Sequence, residues 1–152
     1  MRAYFVALAA GLILAVSAFL PWVYVGETGF GGVPDPAGLW LLALGAAAVA
    51  LSALSIATRR SSRHPLLLVG LAALGTLMLG YRLLSHTAEN HAWAAAQAIA
   101  VVDHVEAPPQ EPAVAGLAVY LAFPAALFLV LFGLTIVVRR SARQVEPTDD
   151  DV

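Results

Sequence analysis

The sequence predicts an all-α membrane protein: a four-transmembrane-helix bundle with an extra outer amphipathic helix. Three observations carry that reading. First, the 152 residues are 61% hydrophobic and 12% charged, with a mean hydropathy of +0.83, whereas a soluble domain carries roughly 25% charged residues. Second, four runs each reach the roughly 20 apolar residues that a helix needs to cross a bilayer core about 30 Å thick. Third, the eight arginines are distributed unevenly between the connections.

The four expected spans are residues 3–25, 38–58, 65–84 and 113–138. Arg2 and the small residues Ala15 and Ser17 also suit a cleavable signal peptide, but the apolar run continues to Val25, so it is read as a retained first span. The fourth span carries Pro124 near its middle, where a missing amide and a ring clash favour a kink. Cytoplasmic flanks collect positive charge. Arg2, Arg59, Arg60, Arg63, Arg139, Arg140 and Arg143 all fall on one side under this division, which predicts a multi-pass protein of the cell membrane with both termini cytoplasmic. The other side receives Glu27, Asp35, Glu89, Asp103, Glu106 and Glu111.

Apolar side chains gain little by leaving lipid, so bilayer helices associate where small residues let backbones approach. Ala7, Gly11 and Ala15 in span one, Gly45 to Ala48 and Ala50 in span two, and Ala72, Thr76 and Gly80 in span three are the expected contact rows. Trp22 and Trp40 are expected at the outer headgroup level with Tyr24, Tyr81 and Tyr120, as interfacial anchors. Arg82, inside the outer end of span three, is expected to snorkel to the same interface.

The segment between spans three and four is too long for a bare turn. Its alanine-rich middle predicts an outer helix over about residues 87–105, with Thr87 as N-cap. At 100° per residue, Ala92, Ala95, Ile99, Val102 and Val105 share one side, and His86, Glu89, Asn90, Trp93, Gln97 and His104 the other. Such a helix has three arrangements open to it: lying on the membrane, capping the bundle, or continuing span three. The polar side defines the candidate partner-binding residues Trp93, His86, Glu89, His91, Asp103 and His104, together with Glu27 and Asp35 of the short outer turn. Asp103 lies at the helix C-terminus, where the macrodipole disfavours anions, so a role other than helix stability is expected for it. A metal site is not assigned, because His86 and His91 are five residues apart rather than three or four. Residues 144–152, with three consecutive aspartates, are expected to be a disordered acidic cytoplasmic tail.

Span one closes on Phe19-Leu20-Pro21-Trp22-Val23, followed by a glycine-rich turn and the Gly38-Leu39 start of span two. This element resembles that of small four-helix membrane proteins of haloarchaea and actinobacteria, including the actinobacterial tryptophan-associated membrane proteins. The resemblance covers about the first 60 residues. It implies a four-helix architecture and transfers no functional residue.

Functional classes narrow by exclusion. With no cysteine there is no thiol nucleophile, disulfide or thiolate metal site. No Asp, Glu, Lys or His stands in the middle of a span, where such a group would be a functional flag by default. HExxH and phosphate-cradling Gly-Lys motifs are missing as well. No catalytic, cofactor or metal-binding residue is assigned, and nucleic acid is not an expected partner. The expected function is that of a non-enzymatic membrane subunit or scaffold, set in the lipid bilayer and docking a membrane-protein partner or a second copy through its extracytoplasmic helix. The alternative is a small accessory subunit of a secondary transporter, or an oligomeric pore.

Overall fold

The computed structural model describes residues 2–59 and 63–144, residues 2, 3 and 136–144 by backbone alone. Arg60 and the acidic tail from residue 145 onward lie outside the described residues. Four helices form: α1 (Arg2–Ser17), α2 (Pro36–Thr58), α3 (Arg63–Asp103) and α4 (Leu117–Gln144). Three short strands complete the fold: β1 (Val23–Val25), β2 (Thr28–Phe30) and β3 (Val114–Ala115). In the bundle α1 packs on α2 and α4, and α3 packs on α2 and α4, so each helix borders its chain neighbours and the ring closes between α1 and α4.

Three helices, α2, α3 and α4, are long and apolar enough to cross a membrane. The helical part of the first expected span is shorter, ending at Ser17 instead of Val25. The chain does not break there at once. Amides of Ala18, Phe19 and Leu20 donate to the carbonyls of Ala15, Val16 and Ser17, an i to i+3 pattern that prolongs the helix as a tighter turn. Pro21, which has no amide to continue the pattern, then redirects the chain into β1.

Local signals explain the other ends. Asp35 caps α2, its carboxylate accepting from the Ala37 amide at 3.3 Å, and Pro36 follows where a missing amide costs nothing. Arg59 ends the same helix in the left-handed region at φ 56°. At the far end of α3, His104 adopts φ 56° and the Val105 amide donates to the Ala100 carbonyl at 3.0 Å, the six-to-one bond of a Schellman cap. Pro124 sits inside α4, and its missing amide leaves the Tyr120 carbonyl without its helical donor.

The expected outer helix is not a separate element. Its residues continue span three without interruption, giving one helix of 41 residues, about 60 Å at 1.5 Å per residue. Thr87, expected as an N-cap, therefore lies in mid-helix, and its hydroxyl donates back to the Leu83 carbonyl at 2.8 Å. Nothing between Tyr81 and Ala92 is a glycine or proline, so no local breaker halts the helix as it leaves the apolar zone.

The bundle is drawn together by glycines in reciprocal pairs. Between α1 and α2, a Cβ built on Gly11 would lie 3.0 Å from Ala48, and one on Gly45 would lie 2.6 Å from the Ala15 backbone. Between α3 and α4, a Cβ on Gly70 would meet the Val130 amide nitrogen at 2.8 Å, and one on Gly133 the Leu67 backbone at 2.7 Å. The expected row in span one thus marks a true contact, and in span two Gly45 and Ala48 do, whereas Ala46 and Ala50 are exposed. In span three the contact row is Gly70, Ala73, Leu77 and Gly80, whereas Ala72 is exposed. Buried aromatic packing closes the end that carries Arg59 and Arg63. There Tyr4 meets Phe132 edge to face at 5.2 Å, and the Arg63 guanidinium lies 5.6 Å from the same ring.

Close backbone approach is the main adhesive available to helices in lipid, so these glycines bear on stability directly. Gly133→Ala should destabilise the bundle by about 1–3 kcal/mol, the usual cost of overpacking. Gly75→Ala places a methyl in open space and should stabilise by about 0.5–1 kcal/mol through helix propensity. Thermal denaturation in detergent measures both, and equal melting temperatures for the two variants would refute the pairing.

Candidate interaction surface at the sheet end of the bundle

The three strands form one antiparallel sheet in the order β2-β1-β3. Val23 faces Phe30 and Val25 faces Thr28 across the hairpin, while Val23 faces Ala115 on the other side. Gly26 supplies the positive φ, 58°, that a two-residue hairpin wants at its first central position. Val23 and Val25 are buried and Tyr24 is exposed, so the sheet lies over the end of the bundle as a lid with one apolar face.

Trp22 sits beneath it. The aromatic pattern places Trp22 at the headgroup interface, but the structure buries it completely. Its backbone joins the sheet, the amide donating to Phe30 at 3.0 Å and the carbonyl accepting from Gly116 at 2.7 Å. The indole drops between helices, and glycines make room for it. A Cβ on Gly80 would come within 2.8 Å of Cζ3, and one on Gly31 within 3.1 Å of the Trp22 Cβ. Gly116 lies against the backbone of Pro21 and Trp22 so closely that no side chain fits. The indole nitrogen has no hydrogen-bond partner among the described residues.

From this lid α3 projects as an arm. From Leu84 to Asp103 it extends about 28 Å and is flanked on one side by the returning chain. Ala88 and Ala100 are buried and Ala92 and Ala96 half-buried, a four-residue row of small side chains on which residues 108–111 lie. The Glu89 carboxylate accepts from the Ala113 amide at 2.8 Å, which fixes the return just before β3. A cavity of about 210 Å³ remains between Trp93, Ala92, Ala96 and the segment from Pro108 to Glu111.

The sequence-derived candidates do not converge on one polar face. Asp35 is occupied as a helix cap and Glu89 as an acceptor within the chain. Glu27 stands exposed at the hairpin turn. His86 lies 3.1 Å from the Asn90 amide, and His91 and Asp103 are exposed on the arm. His104 forms the αL cap. Among the described residues no group of three His, Asp or Glu side chains is placed to hold a metal ion. Arg82 and Trp40 are exposed, Trp40 beside a shallow groove with Leu39 and Ala43.

The apolar side of the arm is mostly not the side that packs. Ala92 faces the return, but Ile99, Val102 and Val105 are 62%, 76% and 62% exposed, joined by Val101 at 74%. The face that packs is the alanine row, because only small side chains let an extended segment lie against a helix. The bulky residues are left outward at the arm's tip. Residue-by-residue hydrophobicity could not find this, since periodicity alone does not say which apolar row has a neighbour. The hairpin did leave a signal: the β-prone run Val23, Tyr24 and Val25, a Gly-Glu turn and a return through Thr28 and Phe30.

Buried Ser17 bonds back to Leu14 at 2.7 Å, as the exposed Thr135 does to Phe132 at 2.7 Å. Ser52 and Ser55, by contrast, are buried with hydroxyls that have no partner among the described residues.

No family model, curated protein or solved structure matches the chain.

Glu89 is the one side chain that ties the return segment to the arm by a hydrogen bond among the described residues, and a bond to a charged acceptor is worth about 1.5–3 kcal/mol. Glu89→Ala should therefore speed amide hydrogen exchange across residues 108–115 by about tenfold or more, with Glu89→Gln intermediate. Unchanged protection in Glu89→Ala would show that the alanine row alone holds the segment.

Proposed function

We propose that this chain is a non-enzymatic integral subunit of the cell membrane that docks a second membrane protein through the free arm of α3. The carrying observation is the tip of that arm. Four bulky apolar residues, Ile99, Val101 and Val102 on the part of α3 beyond the bundle and Val105 just past its end, stand 62–76% exposed. Apolar surface outside both core and lipid marks a place where another protein binds.

The membrane placement that goes with this reading has four spans. In α1, 16 helical residues give about 24 Å, and the three tighter residues that follow add about 6 Å. The total equals a hydrocarbon core about 30 Å thick. Arg59 and Arg63 lie at one end of the bundle, and Glu27, Asp35, Glu89, Asp103, Glu106 and Glu111 belong to the other. The asymmetry supports cytoplasmic termini and an extracytoplasmic sheet and arm.

Gentle solubilisation followed by native electrophoresis and mass spectrometry should recover a stoichiometric partner. The double variant Val101→Asp with Val102→Asp places two charges on the tip and should lower recovery by at least about tenfold, without changing the melting temperature, since neither side chain is buried. A lone monomer at every detergent concentration would sink the docking reading. A complex made only of this chain would replace the partner by a second copy, and full recovery of the double variant would move the interface away from the tip.

A further inference from the structure

Between α3 and α4, near the sheet end, a lateral groove of about 560 Å³ opens on the outside of the bundle. Gly75, Met78, Leu79 and Arg82 line it from α3, and Val119 and Phe123 from α4. The first four follow one exposed helical stripe, at i, i+3, i+4 and i+7. Val119 and Phe123 are one turn apart on the opposite wall.

Its depth comes from Gly75, where a built Cβ would meet nothing within 4 Å. Met78 and Leu79 are 64% exposed and Phe123 46%, so the walls face lipid rather than the bundle interior. Entry is therefore sideways, from within the bilayer. The wall is hydrocarbon except toward its rim, where Tyr81 and the Arg82 guanidinium stand.

Arg82 is the lone arginine at this end of the molecule, among several carboxylates, and it forms no ion pair among the described residues. Arg2, Arg59, Arg63, Arg139, Arg140 and Arg143 lie at or near the opposite ends of the helices. The nearest carboxylate in sequence on its own helix, Glu89, is bound to the Ala113 amide, and Asp35 to that of Ala37. A guanidinium at the membrane boundary without a carboxylate partner is matched to a phosphate, which it can hold by two parallel N–H bonds.

We infer that this groove binds one anionic phospholipid, with the headgroup phosphate on Arg82 and an acyl chain running down the stripe to Gly75. The dimensions agree. Seven residues of rise from Arg82 to Gly75 amount to about 10 Å, within the roughly 15 Å depth of one leaflet's hydrocarbon. The occupant must partition into the bilayer to reach the opening, carry negative charge to meet Arg82, and present a flexible apolar chain to fill a slot between two helices. A phospholipid with a net negative headgroup satisfies all three conditions.

The delipidated full chain in detergent is titrated with phosphatidylglycerol or phosphatidylcholine of identical acyl chains, and bound lipid is counted by native mass spectrometry. The wild-type chain should retain phosphatidylglycerol about tenfold better than phosphatidylcholine. Arg82→Gln should make the two lipids equal, and Gly75→Leu, which fills the slot, should lower retention of both by about tenfold. Arg59→Gln, at the other end of the bundle, should change nothing. The inference is overturned by equal retention of the two lipids in the wild-type chain, by an Arg59→Gln loss matching that of Arg82→Gln, or by undiminished binding in Gly75→Leu. Displacement of the lipid by glycerol phosphate alone would also overturn it, in favour of a soluble-anion site. Arg82 is exposed, so its variant decides the headgroup part even if the Gly75 variant fails to fold.

Discussion

Trp22 must be enclosed, and its enclosure organises one whole end of the molecule. An indole brings a large apolar area that gains by leaving water, yet it follows directly on the shortened first helix, where a lipid-facing position was equally open to it. The chain buries it completely by laying a sheet over it and removing side chains around it. Glycines at 31, 80 and 116 each occupy ground that a larger residue would take from Trp22 or its backbone. Those three come from a loop, from α3 and from the entry to α4, so one side chain ties together segments nearly 100 residues apart in sequence. The same packing fixes the level at which α1 stops, because Pro21 and Trp22 belong to the sheet rather than to the helix.

The order of the helices and the bounds of α2 were legible in the sequence because bilayer physics leaves few choices, whereas α1 stops short of Val25, α3 runs on past residue 84 and α4 begins at Leu117 instead of residue 113. A run of apolar residues long enough to cross must be helical to satisfy its amides, and small residues must sit where helices touch. Gly11, Gly45 and Gly80 were accordingly readable as contact points. The sheet end was less legible, for a physical reason. Strands of two or three residues are too short to show a period, and the aromatic that anchors them has the composition of an interfacial belt. Whether Trp22 points to headgroups or to the bundle depends on glycines that are distant in sequence.

The arm shows the same limit from the other side. An amphipathic helix announces which residues are apolar, but which row is covered depends on what arrives to cover it. Here the arriving segment is extended, proline-rich and pinned by Glu89 at 2.8 Å, and it selects the alanines. Two of the acidic residues that the sequence offers as recognition surface, Asp35 and Glu89, are consumed by this internal work of capping and anchoring. The surface proposed for recognition is therefore the exposed apolar row of Ile99 and the valines instead of the polar face.

The length and composition of the arm bear on how that surface would be used. A free helix of about 20 residues is marginal in water because nucleation is costly, but this one needs no nucleation, since it continues an already folded span. Alanine at 92, 94, 95, 96, 98 and 100 then sustains it with the highest helix propensity available. The Schellman cap at His104 closes it without fraying. The result is a rigid spacer that carries an apolar tip to a set distance and direction from the bundle. A partner meeting that tip would not have to order a loop first, which removes one of the main entropic costs of association.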